Sequence, residues 1–224
     1  LDRIVKKALE ENVSCIDTSQ NYGIAESLIG QYVKGAIPVV TKITVMADKT
    51  KLVDAYRDLH ISINRSKKNL KTKQLESFLV HNPDFLKSNN VQVYIDALKK
   101  LKDNNVVKKI GISVYNEQEI TSAIKLMSPD IIQVPINVFD QRLLKNGLLN
   151  EIKNNNCEIH ARSIFLQGLL LLRCSELNNF FKPIATKIQN WQDFCKKENV
   201  SCTTAALNFI KNIDQVDVAI IGRF

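Results

Sequence analysis

A (β/α)8 TIM barrel, an α/β fold, is the class this sequence predicts, on three observations. Short apolar, β-branched runs alternate with helix-length segments along nearly the whole chain. Several of these runs are continuous rather than alternating, the pattern of parallel strands buried on both faces. Three successive runs end in an ionisable residue, and barrels of this class carry their chemistry at the C-terminal ends of the strands.

In chain order, LDRIVKKALEENV opens as an amphipathic helix without the apolar core or cleavage site of a secretory signal. Strands are predicted at VSCID (13–17), PVVTKI (38–43), LESFLVH (75–81), KKIGISV (108–114), DIIQVPI (130–136), CEIHARS (157–163) and VAIIG (218–222). Helices are predicted at 24–34, 50–69, 88–105, 117–127 and 141–155, with two more within 184–213. Helices between parallel strands supply the right-handed crossovers such a sheet requires. Seven strands are one short of eight, and a complete barrel takes about 250 residues. The expectation is a barrel whose first strand and last C-terminal segment lie outside these 224 residues. No Pro/Gly/Ser-rich linker interrupts the chain, so residues 1–224 read as a single domain, incomplete at both ends. An open doubly wound sheet is the competing architecture, but no G-x-G-x-x-G follows an early strand.

Composition sets limits on function. Hydrophobic residues are 45% and charged residues 24% of the chain, ordinary for a globular protein with a real core. No apolar run approaches the roughly 20 residues of a membrane span. The formal charge of +8 raises nucleic acid as a partner. Its lysine clusters, RSKKNLKTK and KKLKDNNVVKK, fall at helix ends and joints, where lysine suits the helix dipole and solvent. No aromatic residues interleave with them to offer stacking platforms, so neither nucleic acid nor membrane is expected as a partner. Five scattered cysteines without a C-x-x-C pair read as reduced thiols in a cytoplasmic protein, not as a disulfide or metal framework. They are expected to serve as small core hydrophobes.

The candidate site follows from position. Asp17 ends the first strand, Lys42 lies near the end of the second, and His81 closes the third before Asn82-Pro83. Tyr22 stands in the loop after the first. Taken singly, Asp17 is an ordinary turn or cap acid and Lys42 a surface strand-end lysine; together with Tyr22 and His81 they form a constellation. His60 sits in a polar helical stretch and reads as solvent-facing. His160 alternates within CEIHARS and reads as a hydrogen-bonded structural residue.

These segments resemble a known family. DTSQNYGIAESLIG resembles the D-T-x-x-x-Y-G-x-x-E-x-x-[LI]-G motif of the aldo-keto reductases, VVTKI their lysine strand and FLVHNPD their histidine strand. KKIGISVYN, IIQVPINVFD and SIFLQGLL follow in the family's order, so the resemblance covers nearly the whole chain. It implies a barrel enzyme that reduces the carbonyl of a small molecule with NADPH, or less often NADH. It also implies a catalytic tetrad of Asp17, Tyr22, Lys42 and His81. The chemistry is coherent. A carbonyl accepting hydride becomes an alkoxide that must be protonated and stabilised. A free tyrosine, with a pKa of about 10, is a slow donor near neutrality. A neighbouring ammonium favours its phenolate, and Lys42 would play that part. Asp17 would keep Lys42 charged, and His81 would hydrogen-bond the carbonyl and orient it. Hydride must come from a cofactor, because no side chain supplies it.

The match is looser at the cofactor. The resemblance implies Ser113 and Gln133 at the nicotinamide carboxamide, although Val114 stands where asparagine often follows the serine. Arg162 replaces a ring-stacking tyrosine, and two uses are open to it: stacking on the ring or binding an acidic substrate. Ser163, Phe165, Gln167 and Gly168 would line the pyrophosphate path. The residues that grip the adenosine phosphate in the family follow its eighth strand, so the choice between NADP and NAD is not readable here, and neither is oligomeric state. ARSIFLQGLL resembles aldo-keto reductases encoded with surface-polysaccharide pathways, a resemblance that implies a sugar-derived carbonyl. The alternative function is a catalytically impaired barrel serving as a binding or subunit module, which an intact tetrad disfavours.

Overall fold

The structure, a computed structural model, describes residues 2–222. Arg223 and Phe224, which follow the last predicted strand, lie outside the described residues. The described backbone divides into two compact units, residues 2–133 with 154–157, and residues 134–153 with 158–222.

The first unit begins with α1 (Asp2–Glu10) and then alternates strand and helix: β1 (Ile16–Asp17), α2 (Ala25–Val33), β2 (Val39–Ile43), α3 (Leu52–Leu70), β3 (Leu75–Val80), α4 (Val91–Asp103), β4 (Val107–Ser113), α5 (Glu117–Met127) and β5 (Ile131–Pro135). Each strand pairs in parallel with the next, through Asp17 opposite Val40, Lys42 opposite Leu79, Leu79 opposite Gly111 and Ser113 opposite Gln133. The predicted strand 13–17 is regular over two residues only. Its ladder nevertheless runs on, with Thr18 N–H donating to Val40 O and Gln20 N–H to Lys42 O, both at 2.9 Å. Helices α2, α3 and α5 each end in a left-handed residue, Lys34, Lys71 and Ser128 respectively.

Val40, Leu79 and Ile131 form a buried cluster with Cys15 packed against it. These residues come from β2, β3, β5 and the approach to β1, so one face of the sheet is concave enough for strands that are not neighbours to touch through it. Side chains two apart on a strand share a face. Cys15, Val40, Leu79 and Ile131 therefore stand directly below Asp17, Lys42, His81 and Gln133. An apolar layer underlies a polar one.

In the second unit, the helix predicted over 141–155 is two, α6 (Arg142–Lys145) and α7 (Leu148–Asn154). Gly147 between them adopts a positive φ of 67°, which stops the first helix before the second begins. β6 (Glu158–Arg162) pairs in parallel with β7 (Val218–Ala219). Asp217 ties that pair together, accepting from Ile159 N–H at 2.7 Å and from Lys153 Nζ at 2.7 Å. Three short 3-10 turns follow β6 and lead into α8 (Ala185–Lys197) and α9 (Cys202–Lys211). The pattern did not announce them. No helix among the described residues is long and apolar enough to cross a membrane.

One helix contact in the first unit leaves room for no side chain. A Cβ added to Gly30 of α2 would lie 2.1 Å from Asn69 O and 2.6 Å from the Leu70 carbonyl carbon on α3. Both are backbone atoms and cannot swing away. We expect Gly30→Ala to destabilise the protein by at least the roughly 1–3 kcal/mol of an overpacked core. Denaturant unfolding checks this, and an unchanged midpoint would show that α2 and α3 have slack between them.

Candidate active site

Each side chain of the predicted tetrad is placed by a strand end or by the turn that follows it. Lys42 points into the concave face of β2 and is 1% exposed. An ammonium so buried needs a counter-ion, and Asp17 Oδ2 lies 2.6 Å from Nζ. The second carboxylate oxygen, Oδ1, accepts from Gln133 Nε2 at 2.9 Å. Asp17 is thus held from β2 and β5 together. Gln133, 1% exposed, meets the acid rather than standing apart from it.

Tyr22 sits five residues beyond Asp17, in the loop between β1 and α2, and is half exposed. The Lys42 Nζ stands 5.7 Å from the centroid of its ring. The His81 imidazole meets the same ring edge-on, with centroids 5.7 Å apart and planes at 81°. His81 N–H donates to Ile43 O at 2.8 Å, extending the β2–β3 ladder by one residue. The structure therefore brings Asp17, Tyr22, Lys42 and His81 together, with Gln133 beside them. Ser113 is buried on β4, in register with Gln133.

Further residues support these four, and the pattern of the sequence did not single them out. Ser19, fully buried, has its Oγ 3.1 Å from His81 Nδ1 and 3.2 Å from Lys42 O. Asn82 clamps the backbone of Val45 at both N–H and C=O, at 2.9 and 3.0 Å. Asn21 Nδ2 donates to Thr44 Oγ1 at 2.7 Å, joining the loop of Tyr22 to the loop after β2. Tyr94 Oη donates to Asp48 Oδ1 at 2.8 Å farther along that second loop. Burial, with the Asp48 contact adding to it, pushes the Tyr94 phenol up to about 12.

The segment carrying Tyr22 is anchored to α3 at both ends. Gln20 Nε2 donates to Ser62 O at 3.0 Å and Ser66 Oγ at 2.7 Å, and Gln20 Oε1 accepts from Ser62 and Arg65. Glu26, 3% exposed, accepts from Ser66 Oγ and Thr41 Oγ1, both at 2.7 Å, and from Asn69 Nδ2 at 3.1 Å. Ser66 touches both ends of the segment. The motif residue Glu26 offered a signal, since an acid three residues after Tyr22-Gly23 in an apolar helix asks for partners.

The remaining predicted residues belong to the second unit. Arg162 ends β6, and its Nη1 lies 3.4 Å from Ser163 Oγ. Ser163, Leu166, Gln167 and Gly168 all have positive φ, winding residues 163–168 into a tight loop ahead of the 3-10 turn Leu169–Leu171. Asn137 Nδ2 donates to Ser163 O at 3.2 Å and fixes the loop's entrance. Phe165 is buried and Gln167 exposed. A loop after a late strand, followed by a short extra helix, is where barrels of this class commonly bind phosphate. His160 is buried, with Nε2 3.5 Å from Glu158 Oε2. His60 is partly exposed and stacks on Tyr56, centroids 5.9 Å apart.

The chain is similar to D-arabinose 1-dehydrogenase of Saccharomyces cerevisiae, 24% identical over 247 residues that take in 98% of this chain and 67% of the relative. It is likewise similar to aldo-keto reductase YhdN of Bacillus subtilis, 25% identical over 189 residues, covering 79% of this chain and 55% of that protein. Thus the chain spans about two thirds and about half the length of these curated relatives. Among solved structures, an aldo/keto reductase from Klebsiella pneumoniae, in complex with NADP and acetate, matches with a TM-score of 0.73. At 17% identity, over 99% of this chain and 74% of that one, this likeness shows the fold, the (β/α)8 barrel. The model of the aldo/keto reductase family matches residues 1–224, and the chain belongs to that family.

Proposed function

We propose that this protein reduces the aldehyde or ketone of a small molecule to an alcohol, with Tyr22 as the proton donor and NADPH, or NADH, as cofactor. The observation that carries the reading is the buried Lys42–Asp17 pair, 2.6 Å apart, with its ammonium 5.7 Å from the ring of a half-exposed tyrosine. NADP in the Klebsiella relative and the sugar dehydrogenase among the curated relatives support the cofactor and a sugar-derived carbonyl.

Each unit, taken by itself, offers groups that suit a part of such a cofactor. The left-handed loop 163–168 suits a pyrophosphate, with Ser163, Phe165, Gln167 and Gly168 along its path and Arg162 at its entrance. The family resemblance implies Ser113 and Gln133 at a carboxamide; both are buried, and Gln133 also holds Asp17. When bound, the cofactor supplies the hydride that the side chains cannot.

Tyr22 gives its hydroxyl proton to the carbonyl oxygen as charge develops there, so that carbonyl, hydride and proton together balance to an alcohol. Lys42 stabilises the phenolate left behind, and Asp17 keeps Lys42 charged and in place. Gln133 holds the second oxygen of Asp17, which limits the carboxylate to the one orientation that faces Lys42. His81 hydrogen-bonds the carbonyl oxygen and orients it toward Tyr22.

Titrating the full protein with NADPH and with NADH while following nicotinamide fluorescence tests the cofactor. Saturable binding of NADPH is expected; no response to either nucleotide would favour the binding-module alternative. Tyr22→Phe is expected to leave that binding intact and to lower turnover by about 10²–10⁴, the usual contribution of a general acid. A variant with wild-type turnover would remove Tyr22 from the mechanism.

Asp17→Asn leaves Lys42 buried without its counter-ion. Breaking a buried pair from one side costs about 3–5 kcal/mol, and chemical denaturation reads the loss. A loss below about 1 kcal/mol would mean that the ammonium is stabilised chiefly by other groups.

A further inference from the structure

Ser19 has one hydroxyl proton and two acceptors within reach, Lys42 O at 3.2 Å and His81 Nδ1 at 3.1 Å. We propose that Ser19 donates to His81 Nδ1 and thereby fixes the imidazole as the tautomer protonated on Nε2, which makes Ser19 a positioning residue for the reduction.

The choice between acceptors follows from what each already has. Lys42 O accepts from Gln20 N–H at 2.9 Å as part of the β1–β2 ladder, so its main hydrogen-bonding need is met without the hydroxyl. Ser19 Oγ itself accepts from Asn21 N–H at 3.2 Å, which occupies one of its lone pairs and leaves its proton to be given. An imidazole nitrogen is a stronger base than an amide oxygen, so it draws that proton. A neutral imidazole has one N–H and one bare nitrogen, and the partner of one nitrogen decides the state of the other. With Ser19 donating to Nδ1, the proton of the ring must sit on Nε2.

The consequence for chemistry is one of sign. Protonated on Nε2, His81 can donate to a carbonyl oxygen. The opposite tautomer would set a lone pair against the oxygen's lone pairs and leave that acceptor unmet. Ser19 is fully buried, so bulk solvent does not reach Oγ. Its position is also rigid, because it lies between Asp17 and Tyr22 on a backbone tied to β2 at Thr18 and Gln20. The effect on rate rests on the proposed role of His81 in carbonyl reduction; the tautomer itself does not.

The test is 15N NMR of the histidine side chains in the full protein at a pH of about 8, above the usual imidazole pKa of about 6.5. The chain has three histidines, and His81→Gln identifies the signal. Wild type is expected to show His81 protonated on Nε2. Ser19→Ala should move a large fraction to the Nδ1 form and lower kcat about tenfold with cofactor affinity unchanged. Ser19→Thr, which keeps the hydroxyl, should restore both. A wild-type His81 protonated on Nδ1 would overturn the proposal without any variant, and so would a tautomer indifferent to Ser19→Ala. An unchanged kcat alongside a shifted tautomer would remove the positioning role. A protein with the expected Ser19-dependent tautomer but no carbonyl reductase activity would sink the functional reading and leave the tautomer assignment standing.

Discussion

An ammonium that is 1% exposed is the constraint on which the first unit is organised. Taking Lys42 out of water costs several kcal/mol, and only a well-placed partner offsets it. Asp17 supplies the charge at 2.6 Å, and Gln133 satisfies the acid's other oxygen. These three residues come from β1, β2 and β5. The pair therefore demands that the sheet curve enough to bring the ends of β1 and β5 to one carboxylate. The apolar layer beneath shows the same curvature, since Val40 and Leu79 meet Ile131 there. Packing below and charge above ask for one backbone.

Around this pair, the neighbouring side chains are secured from behind. Tyr22 is half exposed and stands on a loop, which by itself would leave it mobile. Its loop is short and anchored at both ends: Gln20 and Glu26 both reach Ser66 on α3, and Gly30 lets α2 lie directly on the end of that helix. His81 is set by the strand ladder through its backbone and by Ser19 through its ring. Half-exposed Tyr22 and partly exposed His81 stand on buried supports, so their placement does not depend on the loop's own stiffness.

The order of strands and helices was legible in the sequence, because parallel strands buried on both faces announce themselves as continuous apolar runs. Asp17, Lys42 and His81 were legible for a related reason: each interrupts or ends such a run, where a charge has no local explanation. The break at Gly147 carried a readable signal in the Asn146-Gly147 dipeptide, and the length of the apolar pattern hid it. Ser19, Ser66 and Asn82 carried none. They are small polar residues of ordinary type, and their partners lie 62, 40 and 37 positions away, so only the folded chain reveals what they hold. The role of Gln133 was obscured in the same way, since Asp17 is 116 positions distant.

Two acids of one motif, Asp17 and Glu26, meet consecutive residues of β2 from opposite sides. Lys42 turns inward to Asp17, and Thr41 turns outward to Glu26 at 2.7 Å. The two acids are compensated differently. Asp17 has a cation, whereas Glu26 has three neutral donors, from Thr41, Ser66 and Asn69. Adjacent residues of a strand face opposite ways, so a slip of β2 by one residue exchanges every inward and outward side chain. Such a slip would place Thr41 or Ile43 against Asp17, according to its direction, and turn the lysine to the helix side. The core would be left with an acid and no cation. Hydrophobic pattern discriminates poorly here, because Val39 and Val40 are both buried and nearly interchangeable across the two faces. The two acids make the choice instead, each accepting only the residue that suits it. The same pairing that gives buried Lys42 its counter-ion thus also sets the register of the strand that carries it.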